Sequence, residues 1–361
     1  MRKILFIASH RKDRAPGQRF RFEQYIPLLQ SRGFHCDISF ILNEHDDKIF
    51  YSQGKYFGKF FILLKGGYHR LRDVFHANRY DIIFIFREAF VARTTWFERQ
   101  FRNSRAKIIY DFDDAIWHLD ISDANKHFHW LKNPGKTAEL ISISDMVFCG
   151  NDYLRNFAIP YNQNVKVVPS TVDTDYFRKL PGPSPGSPVC IGWSGSMTTT
   201  KHFELAIPAL LRIKEIYSHK VTFRVIGDPS YKYPELNLFG IPWTMENELQ
   251  DISAFHIGIM PLPDDEWSKG KCGMKALLYM AMEIPAVVSP VGVNREIISD
   301  GKNGFLATTT DEWVEKLRLL IDSGDLRIRL GKSGRNTVDE KYSFHSQKEK
   351  YLQYFNEVLA L

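Results

Sequence analysis

The densest chemistry in this chain lies in Met260-Pro-Leu-Pro-Asp-Asp-Glu-Trp-Ser-Lys-Gly-Lys-Cys-Gly-Met-Lys275, between an apolar strand and an apolar helix. Lys269, Lys271 and Lys275 repel one another unless an anion lies between them. Gly273 opens the helix that follows and Lys275 lies in its first turn, so free amides, a helix dipole and nearby cations meet at one point, which in physical terms is a diphosphate cradle. A second stretch, Trp193-Ser-Gly-Ser196-Met-Thr-Thr-Thr-Lys201, also joins a strand to a helix. Its small residues Ser194, Gly195 and Ser196 let backbone and hydroxyl donors approach a phosphate, with Lys201 adding charge; the plain alternative is an ordinary strand-to-helix turn.

Two further clusters fall in the first half. Asp111-Phe-Asp113-Asp114 ends an apolar strand, with His118 just beyond. Asp111 and Asp113 share one face of an extended segment and could ligate Mg²⁺; equally, one carboxylate could accept a substrate hydroxyl, or Asp113 or Asp114 could cap a helix. Pro16-Gly17-Gln18-Arg19 separates the first strand from a helix expected to run to about Gln30, a place that favours an anion. It lacks the GxGxxG pattern of a dinucleotide site, and solvated arginines in a plain loop are the alternative.

The elements that must position these residues are readable from the apolar runs. Lys3 to Ala8, His35 to Leu42, Asp81 to Phe86, Lys107 to Phe112, Met146 to Cys149 and Val165 to Val168 read as strands, continuous rather than alternating, as in a parallel sheet covered on both faces. After the Pro/Gly-rich Leu180-Pro-Gly-Pro-Ser-Pro-Gly-Ser-Pro188 the pattern restarts with Val189 to Trp193, Val221 to Ile226, His256 to Met260 and Ala286 to Ser289. The fold class expected is α/β, with two Rossmann-like doubly wound domains. Their expected bounds are 1–180 and 189–343, joined by a linker at 181–188. The last segment, 344–361, has helical spacing and is a candidate to cross back to the first domain. In such sheets ligands bind at the carboxyl ends of strands, where all four clusters fall.

At 361 residues, with 44% hydrophobic and 25% charged, the composition is globular and has room for two cores. No apolar run is long enough to span a membrane, and the one after Met1 is too short for a signal peptide. Four scattered cysteines, Cys36, Cys149, Cys190 and Cys272, form no CxxC pair and read as reduced thiols of a cytoplasmic protein. The net charge of +6 is uneven: the first 180 residues carry 28 Lys/Arg against 20 Asp/Glu, leaving 20 against 22 for the rest. Such a bias suits an anionic partner. Lys55 to Arg72 has five Lys/Arg and no acid, while Phe57, Phe60, Phe61, Leu64, Tyr68, Leu71 and Phe75 fall near one helical face. Residues 55–75 therefore read either as a basic amphipathic helix for an anionic membrane surface or as a core helix with wet cations.

Gly270-Lys-Cys-Gly-Met-Lys275, Tyr279-Met-Ala-Met-Glu-Ile-Pro-Ala-Val-Val-Ser-Pro-Val-Gly-Val-Asn-Arg-Glu296 and Asp300-Gly-Lys-Asn-Gly-Phe-Leu306 resemble the donor-domain signature of the GT-B retaining glycosyltransferases of family 4 (group 1). The resemblance extends through Val168-Pro-Ser-Thr-Val-Asp-Thr-Asp-Tyr-Phe177 and thinly to Gly17. It implies two domains facing across a cleft, with Gly273, Met274 and Lys275 meeting the diphosphate of a nucleotide-sugar and Gly17 approaching the same phosphates. Lys201 matches the family's basic residue after the first donor-domain strand. Asp113 falls near its usual histidine, with His118 competing for that role, and Glu296 matches a glutamate in the turn after the Ile284-Pro-Ala-Val-Val-Ser289 strand. One departure stands out: the family's E-x7-E glutamates map onto Gly270 and Leu278, so either another acid such as Glu283 or Glu296 substitutes or the nucleotide is recognised differently.

The function so implied is transfer, with retention, of a sugar from a nucleoside diphosphate sugar to a glycan, lipid-linked or other hydroxyl acceptor. No cofactor, no metal and no nucleic acid partner are expected, since the nucleotide-sugar is itself a substrate. The location expected is cytoplasmic, with peripheral attachment to the inner membrane face as the option raised by residues 55–75. Alternatives are a non-catalytic sugar-nucleotide-binding or assembly subunit, or an epimerase or phosphorylase on the same fold.

Overall fold

The computed structural model of the chain describes residues 1–52, 54–118, 133, 135–182 and 186–361. Two compact units emerge, Met1–Ser170 together with Lys348–Leu361, and Thr171–Gln347.

The first unit is built on a wholly parallel six-stranded sheet of β1 (Arg2–Ile7), β2 (Phe34–Ser39), β3 (Ile82–Phe86), β4 (Lys107–Phe112), β5 (Met146–Cys149) and β6 (Val165–Val167), in the order β2-β1-β3-β4-β5-β6. Every residue of β3 and β5 is buried, the physical reason their sequences run apolar without alternation. The order reverses at β1 and β3, so the loops after these two strands open a crevice at the sheet's carboxyl edge. The C-terminal helix Phe344–Ala360 lays Tyr351, Tyr354 and Phe355 on this sheet. Tyr351 stacks on Tyr25 at 3.9 Å and Phe355 on Phe84 at 6.0 Å, completing an aromatic core with Phe6, Phe22 and Phe148.

The second unit carries a sheet of β7 (Val189–Ser194), β8 (Val221–Ile226), β9 (Lys232–Tyr233), β10 (Leu238–Ile241), β11 (Ile257–Met260), β12 (Ala286–Val288) and β13 (Phe305–Leu306). Its order is β13-β12-β11-β7-β8-β10-β9, all parallel except the β9/β10 edge pair. The reversal lies between β7 and β11, the two strands whose trailing loops hold Ser194 to Lys201 and Pro261 to Lys275.

Four expectations need adjustment. The unit boundary falls at Ser170/Thr171, ahead of the expected linker, of which 183–185 lie outside the described residues. The cause is that the segment after Thr171 is fastened to the second unit. Val172 N–H donates to Tyr342 O at 2.9 Å, Phe344 N–H to Val172 O at 2.8 Å, and Arg335 donates to the carbonyls of Thr174 and Phe177. The helix expected from Pro16 to Gln30 is two helices, Pro16–Arg21 and Ile26–Ser31, broken at Phe22 because Pro27 must sit in a first turn. The edge strands β9 and β13, and β10 beside β9, were not expected at all.

The fourth concerns the helix Tyr56–His76. Its packed face is Lys59, Ile62, Gly66, Arg70 and Asp73, while all seven apolar residues of the opposite face are solvent-exposed, Phe57 at 84% and Phe75 at 82%. What turns the polar face inward is Arg70, fully buried. It donates to Asp73 at 2.8 Å, to Ser39 Oγ at 2.8 Å, and to the carbonyls of Ala8 and Ala89 at 2.6 Å. A buried guanidinium with its donors satisfied in this way fixes the helix rotation. The core-helix reading of the aromatics is thereby excluded.

Candidate functional site

In the second unit Gly273 caps the eight-residue helix Met274–Ala281 with φ 69°, a backbone region that penalises a side chain. A Cβ there would also lie 2.2 Å from Ile297, so both backbone and packing demand glycine. The same glycine faces Asn294 Oδ1, which is buried and has no hydrogen-bond partner among the described residues. Tyr279, in the middle of this helix, ties it to the end of β7 by accepting the Ser194 N–H at 2.9 Å, and its burial pushes the phenol pKa up.

Cations gather at the amino end of that helix. Lys275 Nζ lies 5.5 Å over the Trp193 ring and Lys271 Nζ 4.8 Å over Trp267. His202 is buried one residue beyond Lys201. Its pKa is lowered to about 4, first by desolvation and then by the positive charges of Lys275, Lys271 and Lys201. The positive charges of Lys275, Lys271 and Lys201 thus act together on one buried imidazole, against the smaller opposing pull of Asp265, which marks its surroundings as electropositive. Lys269 stands apart, paired at the exposed rim with Glu266 at 2.7 Å and Asp264 at 3.9 Å.

A pH dependence follows from His202. Because its folded pKa of about 4 lies below the ordinary 6.5, the unfolded chain binds more protons between these values. Stability from this group is fully present above about pH 6.5 and lost as pH falls toward 4. His10, in the first unit, is lowered to about 4 as well, mainly by burial, and adds to the same acid limb. His202→Gln is expected to flatten part of that limb in urea unfolding between pH 4 and 6.5, leaving the His10 part; an unchanged slope would refute the assignment.

The Ser194 to Lys201 turn departs from the expectation of amides open to a phosphate. Ser194 N–H goes to Tyr279, Gly195 N–H to Ile226 O at 2.9 Å, and Ser196 N–H to Thr199 Oγ1 at 3.0 Å. Two of these amides are spent on neighbouring elements and one inside the turn, and the hydroxyls of Ser196, Thr198, Thr199 and Thr200 bond within the turn or to Asp228, which leaves Lys201 as its main outward charge. Of the two substitutes for the missing glutamates, Glu283 pairs with Lys179 at 2.7 Å at the carboxyl end of the Met274–Ala281 helix, more than about 10 Å of helix from Gly273. Glu296 sits on the Asn294–Ile297 turn that packs against Gly273 and is exposed there.

In the first unit the structure brings Gly17 and Asp113 together: a Cβ on Gly17 would meet Asp113 Oδ2 at 3.1 Å and Phe86 at 3.0 Å. Arg87, which the sequence reading passed over, joins them. With φ 62° it follows β3 directly and bonds Asp113 at 2.7 Å and Asp114 at 2.5 Å. Asp111 is buried against Arg21 in a two-pronged ion pair, and Arg21 also donates to Val168 O. All three carboxylates thus face a guanidinium, which disfavours the divalent-cation reading of this triplet. Arg11 and Arg14 both pair with Asp47, so they brace the loop after β1. His118 lies at the end of the described stretch beyond β4, and its Nε2 is buried without a partner among the described residues.

Comparison with known proteins matches residues 188–323 to the family model of glycosyl transferases group 1, the segment holding the lysine cluster and Gly273. Trehalose synthase of Thermococcus litoralis is 30% identical over 84 residues, 23% of this chain and 20% of that protein. The matched stretch thus spans about a fifth of that relative's length. Among solved structures, sucrose-phosphate synthase from Thermosynechococcus elongatus has a TM-score of 0.72 at 14% identity, covering 100% of both chains. The Anabaena protein HepE in complex with UDP and glucose has a TM-score of 0.65 at 14% identity, covering 99% of this chain and 100% of that one. The chain has the two-domain α/β fold of GT-B glycosyltransferases.

Proposed function

We propose that this protein is a retaining glycosyltransferase that takes a sugar from a nucleoside diphosphate sugar held by the second unit and gives it to a glycan or lipid-linked hydroxyl held by the basic first unit. The observation that carries this reading is the cationic amino end of the helix opened by Gly273, where Lys275 lies over Trp193 and Lys271 over Trp267, within the segment matched by the glycosyl transferases group 1 model.

The chemistry required is mostly electrostatic. As the bond from sugar to diphosphate lengthens, negative charge grows on the leaving phosphate, and fixed cations and helix amides stabilise that state more than the ground state. Lys275, in the first turn, and Lys271 supply this charge; Met274 contributes through its backbone. A phosphate oxygen then takes the acceptor proton, so no side-chain base is needed. Asp113, already engaged with Arg87, and His118 serve to orient sugar hydroxyls rather than to abstract a proton, and Glu296 is the acid nearest to replacing the absent glutamates.

One observation favours a second reading, a sugar-nucleotide-binding subunit without turnover: Gly270 and Leu278 stand where the family carries carboxylates. A single set of measurements separates the two. UDP, ADP and GDP are screened by thermal shift, and the matching nucleotide-sugar is then followed for hydrolysis or transfer with and without EDTA. A stabilising nucleotide with EDTA-insensitive turnover supports the enzyme; stabilisation without turnover supports the binding subunit. No shift with any nucleotide sinks both, and turnover abolished by EDTA and restored by Mg²⁺ sinks the metal-free mechanism.

A further inference from the structure

The outward face of the Tyr56–His76 helix has no counterpart in the transferase chemistry. Phe57, Phe60, Phe61, Leu64, Tyr68, Leu71 and Phe75 recur at intervals of three and four residues, and at about 100° per residue they lie within an arc of about 100°. All seven are exposed, with Phe61 at 65% and Tyr68 at 68% alongside the two already given. A soluble helix normally shows its polar face to water; this one is turned the other way by Arg70.

The charges beside this face have one sign. Lys55 and Arg72 are exposed, Arg72 on one border of the apolar arc by helical spacing beside Lys65, whose ammonium is held by buried Asp46 at 2.7 Å, and Arg79 is exposed just past the helix end. From Lys48 to Tyr80 the sequence has one acid, Asp73, and it is buried against Arg70. No carboxylate is therefore displayed to solvent along the helix, and an anionic surface would meet only cations there.

Large aromatics in a row, bordered by cations and free of acid, are what an interfacial helix needs: the apolar face sinks into the boundary between headgroups and acyl chains while the cations meet anionic headgroups. No helix of the described residues is long and apolar enough to cross a bilayer, so the contact is with one leaflet. We infer that the Phe57 to Phe75 face docks the first unit on an anionic lipid bilayer, lying parallel to its surface. This inference stands on the helix alone and is independent of whether the second unit turns over a sugar donor.

Co-sedimentation with vesicles tests it, using the full chain, phosphatidylcholine alone against phosphatidylcholine with phosphatidylglycerol, at low and high salt. Binding is expected to the anionic vesicles and to weaken as salt screens the lysines and arginines. Phe57→Ser/Phe60→Ser/Phe61→Ser should lower the partition coefficient at least about tenfold, three aromatic anchors having been lost. Because these side chains are exposed, circular dichroism of that variant should match the parent. Lys55→Gln/Arg72→Gln should reduce the preference for anionic over neutral vesicles. No binding to any vesicle, equal binding to neutral and anionic vesicles, or unchanged binding by the triple variant would overturn the inference. So would a lipid-free dimer abolished by the triple variant, which assigns the face to a second copy of the chain.

Discussion

Lys275→Ala is expected to lower kcat by on the order of 10² or more under saturating donor, the range for loss of one preorganised group that stabilises a leaving anion. The residue stands in the first turn after Gly273, and its charge reaches buried His202. An ammonium group there gains most as the diphosphate departs, so its removal acts on the transition state more than on binding. Lys269→Ala supplies the control, because Lys269 is held at the rim by Glu266 and Asp264 and should change kcat little. Circular dichroism and thermal melts would establish that both variants fold. Equal, near-parent rates for the two would show that the leaving group does not sit at this cradle.

Arg21→Met is expected to cost the first unit about 3–5 kcal/mol, the largest stability effect anticipated for a single side chain here. Arg21 and Asp111 have side-chain exposures of 1% each and bind through two prongs. Without the guanidinium, Asp111 is left as a buried carboxylate among apolar strands and the Val168 carbonyl loses a donor. The double substitution Arg21→Met/Asp111→Leu removes both charges and should recover most of the loss, because a buried pair replaced by packed apolar groups is often neutral. Urea unfolding followed by the fluorescence of the first unit's Trp96 and Trp117 reads the difference. A single variant as stable as the parent would show that Asp111 finds another partner or a proton at little cost.

Most of the architecture could be read from the chain because parallel strands buried on both faces are continuous apolar runs, and β3, β4, β5, β7 and β11 appear as such. β9 and β13 have two residues each, too short for a pattern to stand out. The donor-side loop was legible for a different reason: Gly273 and its lysines are local in sequence. Arg87 was not, since its meeting with Asp113 and Asp114 depends on the β3/β4 register that sets Phe86 opposite Asp111. His202 was hidden likewise, because two of the three lysines that act on it, Lys271 and Lys275, lie about seventy residues on in the sequence. For the Tyr56–His76 helix, periodicity gave the face but not its direction. The direction rests on the bonds Arg70 makes to Ser39, Ala8 and Ala89, all distant in sequence.

The C-terminal helix makes the order of synthesis differ from the order of completion. The aromatic core of the first unit closes only when Tyr351 reaches Tyr25 and Phe355 reaches Phe84, yet all of Thr171–Gln347 is translated in between. At ribosomal speeds of about 5–20 residues per second this delay is on the order of ten seconds. During it Phe6, Phe84 and Phe148 stay uncovered on one side of a nascent sheet, so the first half of the chain is a natural client for chaperones while the second half is still being made.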